Sequence, residues 1–456
     1  MNANTSSSTV NFRKEGEEDR ISNLPDDVLQ HILCFLPTID VVATSVLSTR
    51  WKYLWTATGS LDFCDEMIRN VKMINYPMCN MKLMNIVEKI LLLHDAPFIR
   101  RFSLYSSTTL DESRVNTWIS AVIKRKVEEI IIYIFVEHSH LLLLGSLLSC
   151  ESLKIFKFKG PSFFKLPSSS VFFSNLKVLH LFFIQVSGDQ AIQNVSLNFP
   201  MLDEVVLYYC EWLNLKVVNI FAPALNRLTI AHDHHHSSDD YYDDCKIKIY
   251  AENLVTLDFR TTLAYDISLH NLSSLYKACI YIWSEDHLPH RMIKFLKGIY
   301  HVTDLTLFDG TICSLYSKHL ILYPMFCNLK ILRIDVEEVD SLDGGRLLYL
   351  FSNLPNIESL FFPNGLKWTG AARLWKEETV PQPILSHLKS VEFSVFSGNE
   401  DELGLVEFLL KNARALEKMT ITISSDSKAD PQQQIEVMKQ LLMLPRSSAA
   451  CVVCFH

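Results

Sequence analysis

Residues 24–55, LPDDVLQHILCFLPTIDVVATSVLSTRWKYLW, interleave polar and apolar positions at helical spacing. Val28, Leu29, Ile32, Leu33, Phe35 and Leu36 recur three and four apart until Pro37 ends the run. Pro25 suits a first helical turn, where its missing N–H is not needed. Asp26 and Asp27 put negative charge at the positive end of the helix dipole. Thr38 is predicted to cap a second helix carrying Val41, Val42, Val46 and Leu47. Ser48 or Thr49 is predicted to cap a third, with Trp51, Tyr53, Leu54 and Trp55. A unit of about 40 residues rarely stabilises itself. These helices therefore either pack onto the rest of the chain or offer an apolar face to a partner.

Further along, one pattern keeps returning: an apolar residue, two others, an apolar residue, one other, an apolar residue. It reads IRRFSL from Ile99, VEEIII from Val127, LKIFKF from Leu153, LKVLHL from Leu176 and LDEVVL from Leu202. LNRLTI (Leu225), LVTLDF (Leu254), VTDLTL (Val302), LKILRI (Leu329), IESLFF (Ile357), LKSVEF (Leu388) and LEKMTI (Leu416) continue it. Successive starts lie 23 to 31 residues apart, except for one interval of 48 between Leu254 and Val302. LSSLYKACIYI, from Leu272, sits inside that interval as a degenerate copy. A period in the twenties with LxxLxL is the signature of leucine-rich repeats, each giving one short strand. Asn before Leu176, Leu254 and Leu329, and NFPM, FAPA and NLPN before other copies, read as corners leading into the strands. The Asn or Cys that usually follows the motif is mostly missing, so the array is irregular.

Residues 388–423 read as strand, acidic loop, helix and strand. Glu402, Leu403, Leu405, Val406, Phe408, Leu409 and Leu410 supply the helix, and QQIEVMKQLLMLPRSSAACVVCF adds a second helix and a last strand.

Composition narrows the function classes. The 456 residues are long for one domain, and 48% hydrophobic with 21% charged residues describes a globular chain. A formal charge of −8 argues against a nucleic-acid partner. The first 18 residues lack an apolar core, and runs such as residues 130–136 are far short of a membrane span. Eleven cysteines without pairing rhythm fit reduced thiols, so a soluble cytoplasmic or nuclear protein is expected. Glycine is scarce, at 13, and neither GxGxxG nor GxxxxGK[ST] occurs.

Two stretches invite a chemical reading. HDHHHSSDDYYDD holds four histidines, His232, His234, His235 and His236, but no second half of a metal site, so a solvated loop is expected. Cys451 and Cys454 have redox-motif spacing without the strand-to-helix context of such motifs. No serine elbow, HExxH or kinase set is present.

DRISNLPDDVLQHILCFLPTIDVVATSVLSTRWKYLW resembles an F-box, of the kind found in plant F-box proteins with leucine-rich repeats. Leu24-Pro25 opens it, Ile32 follows one helical face later, Val42 to Leu47 leads into Ser48-Thr49-Arg50-Trp51, and Leu54-Trp55 closes it. The C-terminal segment resembles the FBD module of many such proteins, on its Gly398 loop, FLLKNA stretch and PRSS stretch. Together these imply an α/β chain: a disordered polar tail over residues 1–18, then a three-helix F-box over 19–60. An irregular leucine-rich-repeat solenoid over 61–380 and an α+β FBD cap over 381–456 would follow.

The resemblance further implies docking on a Skp-type adaptor of a cullin–RING ubiquitin ligase. Leu24, Pro25, Val28, Leu29 and Ile32 are the expected contacts, with Val46, Leu47 and Trp51 contributing or supporting, and some of these, the tryptophans above all, alternatively internal core. The expected function is a non-catalytic substrate-recognition subunit of an SCF (Skp–cullin–F-box) ligase, holding an unnamed target protein on the solenoid. No cofactor, metal, nucleic acid or membrane partner is expected. Alternatives are a repeat receptor sensing a small molecule, an adaptor-binding protein acting outside ubiquitin ligation, and an unrelated hydrolase.

Overall fold

The protein is described by a computed structural model. It covers residues 20–456, apart from 22, 66–75, 136–140, 144–146, 148–149, 167–168, 189–192, 233–244, 262, 264, 283–288, 316–324, 337–341, 343, 367–379 and 424–430. The polar tail and most of the histidine-rich loop lie outside the described residues.

The apolar triplets become strands because alternate side chains of a strand share one face. From Ile99 to Leu416 the first residue of every copy is at most 3% exposed. The fourth and sixth residues of most copies are buried beside it, among them Phe102 and Leu104, Leu332 and Ile334, and Phe362 and Phe393. Each strand pairs in parallel with the strand of the next copy, as in Arg101–Thr109 with Glu129–Phe135 and Asp304–Phe308 with Ile331–Asp335. The ladder runs without a break from Ser60–Cys64 to Val452–Phe455, within a sheet of 17 strands. The lead-in asparagines do more than make corners. Asn175 and Asn253 each donate a side-chain hydrogen bond to a carbonyl of the preceding copy, that of Glu151 (2.8 Å) and Pro223 (3.0 Å).

Three features differ from the sequence expectation. The copy assigned to Leu272 begins at Leu275, so that Ala278 and Ile280 take the inward positions of strand Lys277–Ile282. A further copy precedes Ile99: Leu61 and Phe63 are fully buried in the strand Ser60–Cys64, which pairs with Arg101–Tyr105. Its first position is Thr58, a polar residue that satisfies its hydroxyl on the Trp55 carbonyl (2.9 Å), and this hid the copy. Lastly, the C-terminal module is not a separate α+β cap. Its strands Ser390–Phe396, Lys418–Ile423 and Val452–Phe455 are further parallel rungs of the same ladder.

What covers the buried face of the ladder changes along the chain. Helices Tyr76–Leu93 and Glu112–Lys124 follow the first strands. A second parallel sheet of five strands then replaces them, from Ser170–Phe172 to Asp266–His270. Helices return at Pro289–Gly298, Gly344–Ser352 and Glu400–Asn412. One continuous cluster of buried apolar residues extends from Leu29 to Cys451. No helix of the described residues is long and apolar enough to cross a membrane.

Candidate functional site

The N-terminal helices have two apolar faces with opposite fates. In α1 (Asp26–Leu33), Leu29 and Leu33 point into the core. Val28 and Ile32, one helical turn apart, stay 42% exposed. Phe35 (76% exposed) and Leu36 extend the open face past the helix end. In α2 (Thr38–Ala43) the inward residues are Thr38 and Val41. Thr38 is the first helical residue rather than the cap, and its hydroxyl accepts the N–H of Asp62 (2.6 Å). That bond fastens α2 to the first strand of the ladder.

After α2 the chain tightens into a 3₁₀ turn, Thr44–Val46. Here Val46 (85% exposed) and Leu47 (65%) project into solvent. The following helix, α3 (Trp51–Leu54), turns Trp51 and Leu54 inward, and Trp55 follows them. Arg50 holds the two ends of the segment together. Its guanidinium donates to the Asp26 carboxylate (2.9 Å from Nε) and to the Leu24 carbonyl (2.5 Å).

The expected contact residues therefore divide. Pro25, Val28, Ile32, Val46 and Leu47 are exposed, and Leu24 is half-buried. Leu29 and Trp51 take the internal-core alternative: they fall on the inner faces of α1 and α3 and join Leu33, Leu54, Leu61 and Phe63 in the core. Phe35 and Leu36 are exposed beside them, and their place in the apolar run is plain from the sequence.

The chemical candidates gather no catalytic arrangement on the described residues. Of the four loop histidines only His232 is described, and no group of three metal-ligating side chains occurs among the described residues. Cys451 is buried, and burial pushes its thiol pKa up against the opposing pull of Arg446. A raised pKa disfavours the thiolate that redox or nucleophilic chemistry needs. Cys454 lies in the strand after it, aligned with Thr420.

The C-terminal rungs carry a buried carboxylate instead. In the helix Glu400–Asn412, Glu402 is 1% exposed. It accepts from the N–H groups of Leu366 (3.0 Å), Ser397 (2.8 Å) and Gly398 (2.8 Å), and from the Ser397 hydroxyl (2.8 Å). Asn399 caps the same helix on the Glu402 N–H (2.8 Å). Gly398 supplies the left-handed backbone (φ +76) that the turn requires.

Comparison with known proteins falls on these same two regions. The F-box domain family model matches residues 21–63, and the FBD family model matches residues 376–421. An F-box/FBD/LRR-repeat protein of Arabidopsis thaliana is 26% identical over 96% of this chain and 99% of its own length. An FBD-associated F-box protein of the same plant is 27% identical, over 97% of each chain. F-box/LRR-repeat protein 13, also from Arabidopsis thaliana, is 27% identical over 97% of this chain and 98% of its own. An F-box at one end, an FBD module at the other, and similarity over nearly the whole length to plant F-box/FBD/LRR-repeat proteins describe this chain.

Proposed function

We propose that the chain is the substrate-recognition subunit of an SCF-type ubiquitin ligase. The open face of Pro25, Val28, Ile32, Val46 and Leu47 docks a Skp-type adaptor, and through it a cullin–RING ligase. The parallel ladder is a leucine-rich-repeat solenoid that holds a target protein. The observation that carries this reading is the exposure of Val28, Ile32, Phe35, Val46 and Leu47 within one short helical segment whose other face is fully core. A cluster of large apolar side chains left in water marks a partner site, since covering it gains about 25 cal/mol per Å² of apolar surface.

The chain itself performs no bond-making step in this account. It raises the effective concentration of target lysines near the ubiquitin-charged enzyme, a contribution of proximity. The test is reconstitution with a Skp-type adaptor, cullin, RING subunit and ubiquitin enzymes, scoring ubiquitin transfer to a protein captured by this chain. Transfer that needs both the chain and its open face supports the reading. Capture without any transfer would leave an adaptor-binding protein with a different task.

A further inference from the structure

Where the ladder turns from Arg101–Thr109 to the strand Glu204–Tyr208, one cross-strand row on its open face is nearly all aromatic. Tyr105 aligns with Tyr133, Tyr133 with Lys159, Lys159 with Phe182 and Phe182 with Tyr208. The rings touch in sequence: Tyr105 to Tyr133 at 5.2 Å, Tyr133 to Phe182 at 6.4 Å across the intervening lysine strand, and Phe182 to Tyr208 at 5.7 Å.

The backbone beside this row is held in an unusual state. Phe183 and Tyr209, each just after a row residue, have φ of +63 and +52, a region bulky side chains seldom occupy. Their rings stack at 5.2 Å, and Phe183 is 40% exposed. The register shifts at the same level, between Lys159 and Ser162. Bulges of this kind re-aim side chains next to functional sites.

Charge selects the occupant. Lys159 is exposed in the middle of the row, and Lys157 lies two residues earlier on the same face. Among the described residues neither has an ion-pair or hydrogen-bond partner. On the same face, Glu204 is engaged by His180 (3.0 Å) and Arg227 (2.7 Å), and Glu129 sits one row away, aligned with Ile155. Two ammonium groups without a partner among the described residues, beside an aromatic row in a chain of net charge −8, form a local site for carboxylates.

We infer that this row binds an extended acidic segment of the target protein, with its carboxylates on Lys157 and Lys159 and its apolar side chains on Tyr133 and Phe182. Five strands about 4.8 Å apart span about 19 Å, the reach of about six extended residues. Single-stranded nucleic acid fits less well. It carries a charge on every nucleotide and needs open ring faces, whereas Tyr105 and Tyr133 meet edge to face at 85°. The inference rests on the target-holding role proposed above and names the class of target.

Short fluorescent peptide pools with alternate positions fixed as Glu, as Lys or as Ser test it on the full chain with its adaptor present. The Glu pool binds the wild-type chain best, and added salt weakens it. The double variant K157E/K159E lowers its affinity about tenfold or more and shifts preference to the Lys pool. Equal binding of the three pools, no binding of any, or displacement of the Glu pool by short poly(U) RNA overturns the inference. The wild-type comparison decides the matter even where the double variant does not fold. Adaptor retention measured on the same samples separates the two claims: adaptor held without Glu preference sinks only the peptide site, and Glu preference without adaptor sinks only the ligase role.

Discussion

Arg50 and Asp26 join the start of the third helix to the start of the first, through a hydrogen bond of 2.9 Å from Nε that accompanies the bond to the Leu24 carbonyl. The 23 intervening residues carry Val28, Ile32 and Val46, so this clamp sets where the two halves of the open face sit relative to each other. Arg50 is about a third exposed and Asp26 more than half. An exposed pair of this kind contributes only about 0.2–1 kcal/mol to folding. Arg50→Ala is therefore expected to leave the melting temperature within a few degrees of wild type while weakening adaptor binding severalfold. Calorimetry and adaptor titration on one preparation check this, and equal losses in both would mean the clamp serves only folding.

The inner face behaves oppositely. Leu29 is fully buried, and Leu29→Ala is expected to cost about 2–5 kcal/mol of stability through lost burial and the cavity it leaves. Denaturant titration reads that loss. Val28→Ala, one residue earlier but exposed, is expected to change stability by less than about 0.5 kcal/mol. A reversed ranking would show that α1 is rotated from the orientation described.

Acid is expected to loosen the junction between the helices and the ladder. His94 is buried; it lies between the Thr58 carbonyl (2.8 Å from Nε2) and the Arg125 guanidinium (3.1 Å from Nδ1). Arginine can only donate, so Nδ1 accepts and Nε2–H donates, which fixes the neutral tautomer. Burial, and then Arg125, hold the His94 pKa below its ordinary value of 6.5, against the opposing bond to Thr58. Below 6.5 the unfolded chain takes up the proton more readily than the folded one. The stability from neutral His94 is thus complete above 6.5 and is lost as pH falls toward the lowered folded value. Thermal melts at about pH 7.5 and about pH 5.5 should show a smaller acid loss in His94→Gln than in wild type. Parallel losses would place the acid-sensitive group elsewhere, for example at His180, whose pKa burial also lowers.

Glu402 anchors the C-terminal rungs through its four accepted hydrogen bonds, and Glu402→Ala removes the acceptor from all four donors, of which the Leu366 N–H is buried. The expected cost is about 3 kcal/mol or more. Gly365→Ala attacks the same point from the other side. Its φ is +67, and a Cβ there would collide with the Val395 carbonyl and lie 2.7 Å from the Glu402 carboxylate. Hydrogen exchange should show both variants opening the strands at Ser390–Phe396 and Lys418–Ile423 before the N-terminal rungs. Uniform loss of protection along the ladder would contradict a local anchor.

The repeats were legible because each LxxLxL triplet puts three side chains on one buried face, and the period survives drift in loop length. The copy at Thr58 escaped because a hydroxyl bonded to the Trp55 carbonyl fills a position that an apolar residue usually takes. The second sheet escaped for a different reason. Its first strand, Ser170–Phe172, leaves too few alternations to separate from loop, and its other strands, five residues each, carry no LxxLxL lead-in. In the N-terminal helices the sequence marked an apolar segment but not its orientation. Val28 and Leu29 are both apolar and about 100° apart on α1, so which one faces the core depends on where Thr38 and the first strand pin the segment.

The central claim is that the exposed face around Val46 and Leu47 is completed by a Skp-type adaptor. Affinity measurement between the purified adaptor and the full chain, wild type against V46D/L47D, tests it most directly. Both side chains project into solvent, so the double variant should keep the wild-type fold and melting temperature while losing adaptor binding by about a hundredfold or more. Undiminished binding by a folded V46D/L47D chain would contradict the account.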